Sequence, residues 1–129
     1  MLVDGRNVIR SRWPNLNAGW FLERTHAWAE REGVHVLVVF DGRAPAAEPD
    51  ERAEVVGSGR WSADDWIAER AARLAAGSAR LWLVSSDRSL RARVAPYVER
   101  TIGGGKFVSL LEGDSDGDRA LDEIGRAHV

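Results

Sequence analysis

Short apolar runs ending in polar or acidic residues alternate along this chain with stretches of helical spacing. Leu2-Val3 and Val8-Ile9 bracket a short first strand and its turn. Asn17 is placed to cap a helix running to about Glu32, because Phe21, Leu22, Thr25, Trp28 and Ala29 recur on one stripe. Gly33 ends it, and the run Val34 to Phe40, apolar but for His35, has the pattern of a parallel strand buried on both faces. Ala44 to Arg52, with Pro45 and Pro49, reads as an exposed loop. Val55-Val56 predicts a third, short strand closed by Gly57-Ser58-Gly59.

Ser62, with Asp65 three residues on, marks a helix start; Ile67, Ala71 and Leu74 face inward before Gly77 stops it. Leu81 to Val84 predicts another buried strand, and Leu90 and Val94 a short helix that ends near Pro96. Gly103-Gly104-Gly105 then precedes an expected last strand around Phe107 to Leu111. Alternating strands and helices imply an α/β fold with a mostly parallel sheet and right-handed crossovers. One domain accounts for residues 1–111. Residues 112–129 are acidic and polar and read as a mobile C-terminal tail, with a short helical turn near Leu121.

A chain of 129 residues is long enough for a real core. No apolar run approaches the roughly 18 residues of a membrane span, and the N-terminus lacks the regions of a signal peptide. The absence of cysteine excludes disulfides and thiolate zinc sites. A cytoplasmic location is the default expectation. The net charge of −2 argues against nucleic-acid binding through bulk charge. Arginine nevertheless supplies almost all the positive charge, Lys106 being the one lysine. GC-rich coding also produces such a bias, so position matters more than number.

The chemistry lies in the acids. Asp4, Asp41 and Asp87 each follow an apolar run, and Asp64-Asp65 opens a predicted helix. Each has a plainer explanation, as a cap, a turn or a complement to the helix dipole. Together they sit where the carboxyl ends of parallel strands gather, the place where open α/β sheets bind ligands. Hard carboxylate oxygens there suit Mg²⁺ or Mn²⁺, and such ions support phosphate chemistry. Other motifs fall short. Gly103 to Lys106 lacks the spacing of a P-loop, and Asp114 to Asp118 lacks the closing Glu of a calcium loop. His26, His35 and His128 show no ligand spacing; His26 is expected on a solvated helix face.

The segments LVDGRNVI, VVFDGR, SADDWI and LVSSDRSL, in this order over about Leu2 to Leu111, resemble the NYN domains of the PIN-like nuclease superfamily. The resemblance implies a single-domain Rossmann-like three-layer sandwich with strand order 3-2-1-4-5 and metal-dependent cleavage of RNA. It makes Asp4, Asp64, Asp65 and Asp87 ligands of Mg²⁺ or Mn²⁺, directly or through water. Asn7 would orient a phosphate or ligand, and Ser86 would support the site through its hydroxyl. Asp41 is a further candidate metal ligand, carried over less securely because many relatives use no acid there. The first strand is shorter than the family's usual one.

The arginines beside these segments, Arg6, Arg43, Arg60 and Arg88 above all, with Arg10 and Arg12, are suited to hold RNA phosphates. Trp13 and Trp61 lie in the same loops and could stack unpaired bases or simply pack. Trp20, Trp28, Trp66 and Trp82 fall in regular elements and are assigned to packing. The expected function is a metal-dependent endoribonuclease acting on RNA, including ribosome-associated RNA. An RNA- or ribosome-binding module without turnover is the alternative. A metal-dependent phosphatase or DNA nuclease is a third reading, since carboxylates and metals do not choose the sugar.

Overall fold

The computed structural model describes residues 1–113. Five parallel strands form one sheet: β1 (Leu2–Asp4), β2 (Val36–Phe40), β3 (Ala53–Gly57), β4 (Trp82–Val84) and β5 (Arg100–Ile102). Their order is β3-β2-β1-β4-β5, so the short β1 is the central strand. Its register sets Leu2 beside Leu37 on one side and Leu83 on the other. The order reverses between β1 and β4, which places the crevice for a ligand beyond their carboxyl ends.

Among the described residues, five α-helices cover the sheet: α1 (Gly5–Ile9), α2 (Ala18–Glu32), α3 (Ala63–Ala76), α4 (Arg88–Val94) and α5 (Gly104–Leu111). Alternation along β2 divides the core. Val36, Val38 and Phe40 join Phe21 and Trp28 of α2 and Phe107 of α5 on one face. Leu37 and Val39 meet Ile67 and Ala71 of α3 and Leu90 and Val94 of α4 on the other. The result is a three-layer α/β sandwich.

Local signals explain most element ends. Asn17 accepts the Trp20 amide at 3.0 Å, and Gly33 closes α2 in the left-handed region at φ 66°. Ser62 accepts the Asp65 amide at 3.0 Å to open α3. The α4 helix ends in a 3₁₀ turn at Ala95–Tyr97, which contains Pro96. The crossover from β2 to β3 is irregular throughout residues 41–52.

Two segments are helical where the sequence pointed to a turn and to a strand. Val8 and Ile9 belong to α1, where Val8 is fully buried. Phe107 to Leu111 is not a strand but most of α5, and the last strand is Arg100–Ile102, before the glycines. The apolar positions Phe107, Val108, Leu110 and Leu111 have helical spacing and are all buried. Phe107 meets Trp28 edge-on, with ring centroids 5.4 Å apart. Gly104 lets α5 close on α1: a Cβ there would stand 3.2 Å from the Ser11 Cβ and 3.4 Å from the Val8 Cα. Residues 114–129 lie outside the described residues, and with them the turn near Leu121, the calcium-loop-like segment, His128 and all of the expected mobile tail but its first two residues, of which Glu112 caps α5 and pairs with Arg12.

Candidate active site

Asp4 ends the central strand and begins α1, only 6% exposed. Gly5 allows this sharp passage, since a Cβ there would lie 2.8 Å from the Phe40 ring. Burial raises the Asp4 pKa to about 6, and the charges of Asp64 and Asp87 push in the same direction. The Ser85 hydroxyl, donating to Oδ2 at 3.2 Å, and the Asn7 amide pull the other way. Asp64 is also raised, by partial burial and then by Asp87, with Asp41 adding to it.

Asp4, Asp41, Asp64 and Asp87 line one pocket of about 270 Å³ with Arg6, Asn7 and Arg10. Asp87 caps α4, its Oδ1 accepting the amides of Ser89 at 2.9 Å and Leu90 at 3.2 Å. Asp41 occupies the exposed edge. Its Oδ1 accepts the Ala63 amide at 2.8 Å, and its Oδ2 stands 3.5 Å from Arg6. The capping explanations are therefore real for Asp87 and Asp41, and the same carboxylates still face the pocket.

Asp65 is turned elsewhere. Its carboxylate meets Arg93 at 2.7 Å, and that hydrogen bond holds its pKa below the usual range. It lines a neighbouring cleft instead of the acidic pocket. Consecutive positions on a helix point about 100° apart, which separates Asp64 from Asp65. The Asn7 side-chain oxygen accepts the Ser86 amide at 2.9 Å, and Ser86 Oγ accepts the Gly104 amide at 2.9 Å. These contacts join α1, the β4–α4 loop and the start of α5. Ser85 escaped the sequence reading: it donates to Asp4 and accepts the Asp87 amide at 3.1 Å, linking two acids. A serine doublet before Asp87 was its only signal.

Of the arginines, Arg6 and Arg10 border the acidic pocket, and Arg60 lies beyond its edge in a cleft of about 670 Å³ that also contains both. Arg43 and Arg88 are exposed. Arg12 is committed to α5 through Ser109 at 3.1 Å and to Glu112 at 3.2 Å. Trp13 and Trp61 are exposed, Trp28 and Trp82 buried, and Trp20 and Trp66 half-buried under Arg24 and Arg70.

The donor chemistry of the pocket fits a divalent cation such as Mg²⁺ or Mn²⁺. A buried carboxylate with few donors faces further carboxylates, all hard oxygen ligands. It is an open acidic pocket, not a closed cage. Among the described residues, the group whose ligand atoms all lie within 4.8 Å of one another is His26, Glu30 and Asp50. His26 was expected only as a solvated helix position, but it stands 2.5 Å from Asp50 and 3.8 Å from Glu30. Asp50 comes from the irregular β2–β3 crossover, so no chain spacing announced the group. Its pKa is lowered first by the Arg52 amide, which donates to Oδ1 at 2.7 Å.

The parallel order 3-2-1-4-5, with helices on both faces, is that of a Rossmann-like three-layer sandwich and is consistent with a PIN-like fold. Among solved structures, the chain is similar to a point mutant of Rae1 (YacP) from Bacillus subtilis, with TM-score 0.69 and 21% identity over 98% of this chain and 80% of that one. It is also similar to Rae1 (YacP) from Bacillus subtilis without that mutation, with TM-score 0.67 and 22% identity over 98% of this chain and 79% of that one. At such identity the likeness establishes the fold. No family model matches the sequence, and no curated protein matches it. Among the described residues, no helix is long and apolar enough to cross a membrane.

Proposed function

We propose that the protein is a metal-dependent endoribonuclease, with RNA as its macromolecular partner and Mg²⁺ or Mn²⁺ as its cofactor. The observation that carries this reading is the buried Asp4 at the switch point of the sheet, facing Asp64 and Asp87. Such a carboxylate is costly to bury without a cation. Asp4, Asp64 and Asp87 would hold the ion, with Asp41 at the edge, while Asp65 is paired with Arg93. When bound, the ion supplies an activated water and charge stabilisation at the phosphodiester.

The chain's own groups do the rest. Arg6 and Arg10 border the carboxylates and hold the phosphate against them. Arg43, Arg60 and Arg88 extend the grip along the strand. Asn7, Ser85 and Ser86 are positioning residues that fix the β4–α4 loop, and hence Asp87, relative to Asp4. The resemblance to NYN domains supports RNA over DNA as the polymer.

The test is a panel of structured and single-stranded RNAs, including ribosomes, incubated with Mn²⁺ or Mg²⁺ and with EDTA. Cutting is expected with metal and not with EDTA, and Asp4→Asn is expected to abolish cutting while RNA binding persists. Tight binding with every substrate left intact under both metals would replace the nuclease reading with an RNA-binding module.

A further inference from the structure

Among the described residues, three large apolar side chains are exposed: Trp13 at 92%, Trp61 at 55% and Tyr97 at 39%. Two of them, Trp61 and Tyr97, line a single cleft of about 590 Å³ although they come from different elements. Trp61 is in the β3–α3 loop; Tyr97 is in the 3₁₀ turn after α4. The Trp61 loop is a built feature. Ser58 Oγ accepts the Gly42 amide at 2.9 Å and donates to the Trp61 carbonyl at 2.6 Å. Gly57 packs so tightly that a Cβ would come 2.3 Å from the Gly42 carbonyl oxygen.

The cleft adjoins the acidic pocket. Asp64 lines the pocket and the next residue, Asp65, lines the cleft, while Ser62 borders both. The acids of the cleft are compensated, Asp65 by Arg93 at 2.7 Å and Glu69 by Arg73. Among the described residues no ion pair engages Arg60, which lies between this cleft and the one containing Arg6 and Arg10. Aromatic faces, a free guanidinium and an immediate step to a phosphate-handling centre form a recognition set for one nucleotide.

We propose that the cleft between Trp61 and Tyr97 receives an unpaired base of single-stranded RNA, a base joined to the phosphate held at the acidic pocket. Arg60 holds the intervening backbone. The inference rests on the nuclease reading for what occupies the pocket, and it adds the substrate class. A base can enter only when splayed from its neighbours, so single-stranded RNA is selected over duplex. Stacking tolerates every base, so the cleft selects strandedness more than sequence.

The experiment measures binding of the full chain carrying Asp4→Asn by anisotropy, with EDTA present. The probes are a short labelled single-stranded RNA, its duplex, and a series with one abasic nucleotide moved along the strand. Truncation of a stacked aromatic is expected to weaken single-strand binding about tenfold. Trp61→Ala and Tyr97→Ala should each do so and leave duplex binding unchanged, while Trp61→Phe and Tyr97→Phe retain it. One abasic position should reproduce the loss, and Trp61→Ala should add nothing there. Circular-dichroism melts check that the variants fold.

Unchanged single-strand affinity in both alanine variants would overturn the proposal, as would equal losses on duplex. If wild-type protein cuts RNA while the cleft variants bind normally, the cleft fails and the nuclease reading stands. If stacking is found but neither metal supports cutting, the nuclease reading fails and the base cleft stands. Absence of any RNA binding overturns both, and leaves the exposed aromatics as a contact for a protein.

Discussion

At Asp4 the carboxyl group titrates near pH 6 because burial removes its water and Asp64 and Asp87 face it. In the unfolded chain the same group titrates near its ordinary value of 3.8. Between these values the folded state keeps a proton that the unfolded state has released, so stability falls as pH rises through the window. The cost is absent below about pH 4 and fully present above about pH 6; a shift of this size amounts to roughly 2–3 kcal/mol. Asp4→Asn is neutral at every pH. Its urea midpoint should exceed that of the wild type at about pH 7.5 and converge with it near pH 4. Mg²⁺ or Mn²⁺ should raise the wild-type midpoint and leave the variant nearly unmoved. If the variant is less stable at both pH values, the hydrogen bond from Ser85 outweighs the charge.

At the scale of elements, capping and catalysis share side chains, and substitutions can separate them. Asp87 opens α4 through two amide contacts and also faces the acidic pocket. Asn retains an oxygen for the amides and removes the charge; Ala removes both. Asp87→Ala should therefore lose about 1 kcal/mol in thermal or urea melts. Asp87→Asn should melt within a few tenths of a kcal/mol of the wild type or above it, because a neighbour of Asp64 is neutralised. Both should lose RNA cleavage. Equal destabilisation of the two would make Asp87 a charge-dependent cap and weaken its place as a ligand.

The same scale explains what could be read from the chain. Asn17, Gly33 and Ser62 act within three or four residues of themselves, so local rules place the helix ends correctly. The run Val36–Phe40 is buried on every residue, as its composition requires. The order of strands came from the resemblance, since periodicity is silent on which strands pair. Phe107 to Leu111 was misread because a short apolar run after glycines suits a strand or a helix equally, and only packing against Trp28 decides. Asp65 and His26 depend on partners far along the chain, Arg93 and Asp50, and no spacing within a segment reveals such pairs.

Over the whole molecule, a net charge of −2 means that RNA is not held by an overall field but by arginines at particular places. The structure ranks them. Arg12 is bound to Ser109 and Glu112, whereas no ion pair engages Arg10, Arg43 or Arg60 among the described residues. A guanidinium already paired with a carboxylate gains little from a phosphate, since one partner replaces another. Arg10→Ala, Arg43→Ala and Arg60→Ala should each weaken RNA binding across sequences. Each should also lower the slope of log affinity against log salt by about 1 where a phosphate contact is lost. Arg12→Ala should instead leave the slope unchanged and lower the melting temperature, because it frees α5 from the α1–α2 loop. Titrations of one single-stranded RNA at several salt concentrations, in EDTA, read both quantities without turnover. Equal slope changes for Arg12 and Arg60 would mean that RNA meets the protein as a diffuse charge, and would remove the case for a defined path from the acidic pocket past Trp61.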